Sequence, residues 1–223
     1  MTYAVLLGNG ITVTSAMICM SYLYRRYGRD QICLFPPVSV AIIGLTFATT
    51  ALQFVFPAIV SGLQRDLPAL RSGEWWRIVS PLLIQPQGWF QCVFNGAFLV
   101  LFLPLGEKLF GKRVLALYLA SGIVGQVVNY VWRPYGGGAS TGIFGVMGAI
   151  LVFVCRHRRE IPKQYLVFAL FGLSGAVLLS FVQDGHGPAL LAGAGLAAAL
   201  RYGVDGLQPE AQAERPMQRS TAT

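Results

Sequence analysis

The feature that most constrains this chain is a series of long apolar runs, which a water-soluble fold of its size could not hide. One of them, residues 37–62, carries no Asp, Glu, Lys or Arg at all. A helix needs about 20 predominantly apolar residues to cross a hydrocarbon core about 30 Å thick. Inside that core no water satisfies an exposed N–H or C=O, so a spanning segment must be a helix or part of a closed barrel. The runs here are continuous rather than alternating, which selects helices. Composition agrees, with 55% of the 223 residues hydrophobic and 12% charged. The apolar pattern predicts seven helices, over residues 3–24, 37–62, 91–107, 113–132, 139–155, 165–182 and 186–203, the third of them interrupted by Pro104.

The net charge of +8 would suggest nucleic acid in a soluble protein, but here it falls in short connections between spans. Alternate connections hold Arg25, Arg26 and Arg29, then Lys108, Lys112 and Arg113, then Arg156, Arg158, Arg159 and Lys163. The intervening connections hold only Arg65, Arg71, Arg77 and Arg133. Lys and Arg in short loops collect on the cytoplasmic side, so the N-terminus is expected outside and the polar tail, ending ERPMQRSTAT, inside. Seven spans give that parity and six do not. The N-terminal sequence MTYAVLLGNG lacks the basic leader of a secretory signal, so the first helix is expected to stay in the membrane. The four cysteines, Cys19, Cys33, Cys92 and Cys155, form no CxxC pair and imply neither a disulfide framework nor a zinc site. Residues 204–223, rich in Ala, Gln, Glu and Pro, read as a disordered cytoplasmic tail.

One segment carries chemistry. The run Gly136-Gly137-Gly138-Ala139-Ser140-Thr141-Gly142-Ile143-Phe144-Gly145 leads from an outer connection into the fifth helix. In a structural reading Ser140 caps that helix, while the glycines supply a turn and close packing. In a functional reading the serine sits where free backbone N–H groups and the positive end of the helix dipole stabilise an oxyanion. The second reading needs a base, and the chain has two histidines. His157 lies in the basic inner connection RHRRE and suits a solvated role. His186 opens the last helix on the outer side, the side to which the charge count assigns Ser140. Small residues spaced by four, Ala189, Gly193 and Ala197, match Gly145 and Ala149 on the serine helix and permit close approach. An ionisable group at such a depth is functional by default, although a helix-end histidine facing water is the plain alternative. Asp184, two residues before His186, is read as a helix cap, too close in sequence to orient the same ring.

These residues resemble the rhomboid family over about residues 37–203. Gly138-Ala139-Ser140-Thr141-Gly142-Ile143-Phe144-Gly145 resembles the family's nucleophile motif, and His186 with Ala189 and Gly193 resembles its last core helix. Gly73-Glu74-Trp75-Trp76-Arg77 looks like the tryptophan-arginine element of the first outer loop, though Trp75 and Trp76 also suit interfacial anchors and Arg77 a snorkelling side chain. Asn95, with Gly106-Glu107 and Gly111, resembles the second core helix.

The resemblance implies an all-α polytopic membrane protein with a rhomboid-like six-helix core and one extra helix in front, a one-plus-six pattern. Residues 1–36 would form the extra transmembrane helix and a cytoplasmic loop, 37–203 the core, and 204–223 the tail. It implies an intramembrane serine endopeptidase with Ser140 as nucleophile, His186 as base and no third carboxylate. Phe144 would pack on the imidazole. Oxyanion and substrate groups would come from Asn95, Gln91 and Gly138, although Asn95 also suits an interhelical hydrogen bond.

The chain departs from the family where histidines are common, holding Gln85 and Gln91 instead; Gln91 can still donate through its amide. Thr141 stands where Gly is usual and Gly142 where Ala is usual, which alters the turn. Substrates would be transmembrane segments of other proteins in a lipid bilayer, in a bacterial inner membrane, with no cofactor, metal or nucleic acid. A weakly active or inactive rhomboid-like protein that binds transmembrane clients is the alternative from another class. Metalloprotease, aspartyl protease and transporter readings lack their ligand clusters, paired aspartates or paired acidic residues.

Overall fold

Backbone groups that cannot reach water close their hydrogen bonds along helices, and the computed structural model, which describes residues 3–27 and 36–200, is built in that way. Its helices are α1 (Tyr3–Arg26), α2 (Pro37–Val55), α3 (Ala58–Leu63), α4 (Leu67–Arg71), α5 (Trp89–Phe110), α6 (Val114–Trp132), α7 (Ser140–Arg156), α8 (Lys163–Phe181) and α9 (His186–Ala199). Four stretches are long and apolar enough to cross a membrane: Tyr3–Arg26, Pro37–Val55, Trp89–Trp132, which holds α5 and α6 in succession, and Lys163–Phe181. Ser140–Arg156 is a shorter apolar helix. Large side chains on the outside of the bundle, such as Val131 and Phe181, are more than four-fifths exposed, as a lipid-facing surface requires. The all-α architecture matches the reading of the apolar runs. The expected tail at 204–223 lies outside the described residues, as does most of the connection before α2.

Element boundaries differ from expectation where proline chemistry intervenes. The run 37–62 is not one helix. It stops at Phe56, whose N–H closes on Leu52 O at 2.7 Å, and restarts as α3 after Pro57, a residue with no N–H to give to a helix interior. By contrast α5 runs through Pro104 and extends beyond both expected ends. Near the proline, the Leu101 carbonyl accepts a hydrogen bond from the Tyr24 hydroxyl at 2.8 Å, which ties α5 to α1. Between α3 and α5 the chain folds into short pieces that the apolar pattern does not reveal: α4, two 3-10 turns at Trp75–Ile78 and Ser80–Leu82, and strand β1 (Arg65–Asp66). β1 pairs antiparallel with β2 (Tyr135–Gly136), Arg65 opposite Gly136 and Asp66 opposite Tyr135. Two residues per strand are too few for a visible alternation.

Arg77 organises this loop region. It is buried, pairs with Glu74 at 2.6 Å, and donates to the carbonyls of Ser61 and Gln64 at 2.9 and 2.7 Å, while its own carbonyl accepts from the Tyr130 hydroxyl at 2.8 Å. The snorkelling alternative for Arg77 is therefore not what the structure shows. At the far end of the bundle, Glu107 of α5 accepts from the backbone N–H groups of Val38 and Ser39, at 3.1 and 2.7 Å, and from the Ser39 hydroxyl at 2.8 Å. It thereby caps the start of α2, which has no side-chain cap of its own.

Helix α7 lies at the centre. Every residue from Thr141 to Leu151 is buried, as expected of a helix apolar on all sides. Glycines set its contacts. A Cβ on Gly193 of α9 would overlap the Gly145 backbone, and one on Gly148 would overlap the Leu190 carbonyl, so α7 and α9 meet backbone to backbone. Gly142 likewise lies flat against the Tyr118 ring of α6. In lipid, where apolar burial gives no net drive, such close approach is what holds helices together.

Candidate active site

Ser140 is the first residue of α7 and His186 the first of α9, and the Gly145–Gly193 contact brings the two helix starts side by side. His186 Nε2 lies 2.8 Å from Ser140 Oγ. The imidazole packs against Phe144, one turn into α7, with ring centroids 4.5 Å apart and planes at 35°. Backbone N–H groups in the first turn of a helix have no intrahelical acceptor, and Ser140 itself begins that turn in α7. His157 sits at the opposite end of α7, stacked on Phe153 with Nδ1 2.9 Å from the Phe153 carbonyl.

The approach to Ser140 is shaped by the preceding loop. Gly138 has φ +141°, a region L side chains avoid, and a Cβ there would overlap Gln91 Nε2 and lie 3.4 Å from Asn95 Nδ2. Its N–H donates to the Pro81 carbonyl at 2.7 Å. Gln91 donates to the Gly137 carbonyl at 2.8 Å and accepts from Gln87 N–H at 3.0 Å. Asn95 donates to Gln85 Oε1 at 2.6 Å. Each of these two amides has a second N–H, and both side chains line the cavity over Ser140. Gln85 does not line it. It is buried behind Asn95, locked to Gln53 by a reciprocal pair of bonds at 2.8 and 2.9 Å, and supports Asn95 from below.

The cavity has a volume of about 570 Å³ and reaches from Ser140 and His186 to Leu6, Asn9 and Val13 of α1 and to Phe90, Phe94 and Phe98 of α5. At its edge, Thr141 Oγ1 accepts from Gln126 Nε2 at 3.1 Å, and Gln126 in turn accepts from the Arg65 guanidinium. Arg65 also donates to the carbonyls of Arg133 and Tyr135, at 2.7 and 3.1 Å. Burial, with Arg133 nearby, lowers the Arg65 guanidinium to about 10, so it remains charged at neutral pH.

Asp184 is not a cap alone. Its Oδ1 does accept the His186 backbone N–H at 3.0 Å, but the same oxygen lies 2.6 Å from His186 Nδ1. The close sequence spacing, read as an obstacle, is what makes the contact: a carboxylate that turns back to the N–H two residues on also meets that residue's ring. The backbone there is fixed. Helix α8 ends in a Schellman motif, with Gln183 at φ +57°, Asp184 N–H bonded to Leu179 O at 2.9 Å and Gln183 N–H to Ser180 O at 3.3 Å. Arg133 Nη2 stands 3.5 Å from the second carboxylate oxygen. Burial would raise the Asp184 carboxyl, but the hydrogen bonds and charge of His186, helped by Arg133, outweigh it and hold the group down to about 2.

Comparison with known proteins gives the family. The Rhomboid domain family matches residues 72–203, more than half of the chain. The chain is similar to the rhomboid-family protein YdcA of Bacillus subtilis, 35% identical over 157 residues that cover 66% of this chain and 78% of that one. It is similar to the rhomboid protease GluP of the same organism, 33% identical over 138 residues covering 59% and 27% of the two chains. It also resembles the rhomboid protease GlpG of Haemophilus influenzae, 29% identical over 108 residues covering 47% and 56%. A central glycine-packed helix that starts with a serine, a last helix that starts with a histidine beside it, and a match across both place this chain in the rhomboid family.

Proposed function

We propose that this chain is a serine-type intramembrane endopeptidase that cleaves transmembrane segments of other membrane proteins near the outer face of a bacterial inner membrane. The observation that carries the proposal is the 2.8 Å approach of His186 Nε2 to Ser140 Oγ beneath a cavity large enough for an extended segment. His186 takes the Ser140 proton as Oγ attacks the scissile carbonyl carbon. The carbonyl oxygen becomes an oxyanion, met by the Ser140 backbone N–H and the spare N–H groups of Asn95 and Gln91. The imidazolium then gives its proton to the leaving amine, which departs and leaves an acyl ester on Ser140. Water, deprotonated by His186, releases the new carboxylate. Gly138 supports this role because any side chain there would obstruct the two amides.

The basic residues clustered at Arg25–Arg29, Lys108–Arg113 and Arg156–Lys163 support an orientation with the N-terminus and the cavity outside. The proposed organisation is an extra helix in 1–36, a six-helix core in 37–203 and a tail from 204; the matched residues fall within that core.

The test is cleavage of a single-span reporter in liposomes by wild type, Ser140→Ala and His186→Ala. Wild type is expected to cleave, with each variant reduced at least about 10³-fold. Equal behaviour of all three would replace this reading with a client-binding role.

A further inference from the structure

Proton transfer from Ser140 requires that His186 Nε2 carry a lone pair, and therefore that the imidazole hydrogen sit on Nδ1. In a serine–histidine pair standing alone, nothing fixes that choice. Here a buried carboxylate faces Nδ1 at 2.6 Å while Nε2 faces Ser140 Oγ at 2.8 Å, so one ring joins both groups in a line. An ionised carboxylate only accepts hydrogen bonds. With Asp184 ionised, the 2.6 Å contact places the hydrogen on Nδ1 and leaves the Nε2 lone pair directed at the serine.

We infer that Asp184 is a positioning residue for the proposed reaction, holding His186 in the productive tautomer and stabilising the imidazolium that forms when Ser140 is deprotonated. The inference rests on Ser140 and His186 being nucleophile and base. Three features fit a group built for this. Asp184 is 2% exposed, which confines its charge to its partners. The Schellman motif at the end of α8 and the bond from Gly187 N–H to Asp184 O at 3.1 Å hold its backbone on both sides. Arg133, from the connection after α6, reaches the oxygen that His186 does not use, so each carboxylate oxygen has an assigned partner.

Other groups on the cavity wall do not compete for the ring. Besides Asp184, the charged groups facing it are Arg133 and Arg65, from the connection after α6 and from β1, while α1, α5 and α6 present the uncharged Asn9, Asn95 and Asn129. Asp184 is thus the anion that meets the ring, and Arg133 meets Asp184 on its other oxygen. Removing the carboxylate removes the acceptor that keeps the hydrogen on Nδ1.

The test uses the full chain in proteoliposomes and its small histidine count. With His157→Gln to assign the two imidazoles, nitrogen NMR of the wild-type site is expected to show hydrogen on Nδ1 and a lone pair on Nε2. Asp184→Asn is expected to lose the preference for hydrogen on Nδ1, seen as a mixture of ring tautomers in the same spectra, and to reduce kcat about 10²-fold or more with KM within about twofold. Wild-type His186 with its hydrogen on Nε2 would overturn the inference without any variant. So would an Asp184→Asn protein that keeps wild-type kcat and the wild-type tautomer. A fluorophosphonate that labels Ser140 separates the two proposals: a wild type that neither labels nor cleaves removes the protease reading, whereas labelling and cleavage untouched by Asp184→Asn remove only the role of the carboxylate.

Discussion

At the scale of single residues, Asp184 also links the site to the stability of the fold. Its carboxyl is lowered from 3.8 to about 2, so the folded state binds its proton less readily than the unfolded chain does. The sign follows: the stabilisation is complete above about pH 4 and is lost as pH falls toward about 2. Thermal midpoints of wild type and Asp184→Asn in detergent are expected to differ at neutral pH and to converge below about pH 3; a constant gap would show that shape rather than charge matters. The contribution of Asp184 was present in the sequence as an aspartate two before a histidine. That spacing suggests a cap, and the structure adds contact with the ring, because one oxygen serves both. Ser140 and His186 were legible as partners because each opens a helix, and the charge count puts the two openings at one end. Gln85 was not legible. Its position beside Gln91 suggested the cavity, but only the fold shows it turned away behind Asn95.

At the scale of elements, the helices could be read from apolar length, and the breaks between them could not. A run of apolar residues gives no signal for where backbone direction changes, so neither the stop at Phe56 nor the continuation through Pro104 can be read from it. The α7–α9 contact was legible as small residues spaced by four, because only glycine and alanine allow two backbones to approach so closely. The structure adds Gly148, whose Cβ would overlap the Leu190 carbonyl. This contact sets the distance between Ser140 and His186. Gly193→Val is expected to push α9 away from Gly145, costing about 1–3 kcal/mol of stability. A displacement of about 1 Å at the pair is expected to reduce cleavage about 10²-fold. Reporter turnover measured beside the thermal midpoint checks both, and normal turnover in a folded Gly193→Val protein would show that the pair is held by something other than this contact.

At the scale of the whole molecule, α1 is part of the wall around the site. It packs on α8 through Gly8 against Leu179 and Gly175 against Thr12, and its Leu6, Asn9 and Val13 face the cavity above Ser140. Its existence was legible from hydropathy, but its place was not, because no charge or motif says which helices it touches. Gly175→Leu is expected to prise α1 from α8, lowering the thermal midpoint and raising KM for a transmembrane reporter by severalfold. The rate at which a small fluorophosphonate labels Ser140 should change little. A parallel loss of both would mean that α1 supports the serine and histidine directly.

The turn that closes α8 has a mechanical consequence for the molecule. Because Asp184 is tied back to Leu179 of α8 while its carbonyl accepts from Gly187 N–H of α9, the carboxylate beside the imidazole is anchored to both helices at their junction. That junction holds the ring against the carboxylate, and the gap between α7 and α9 holds it against Ser140.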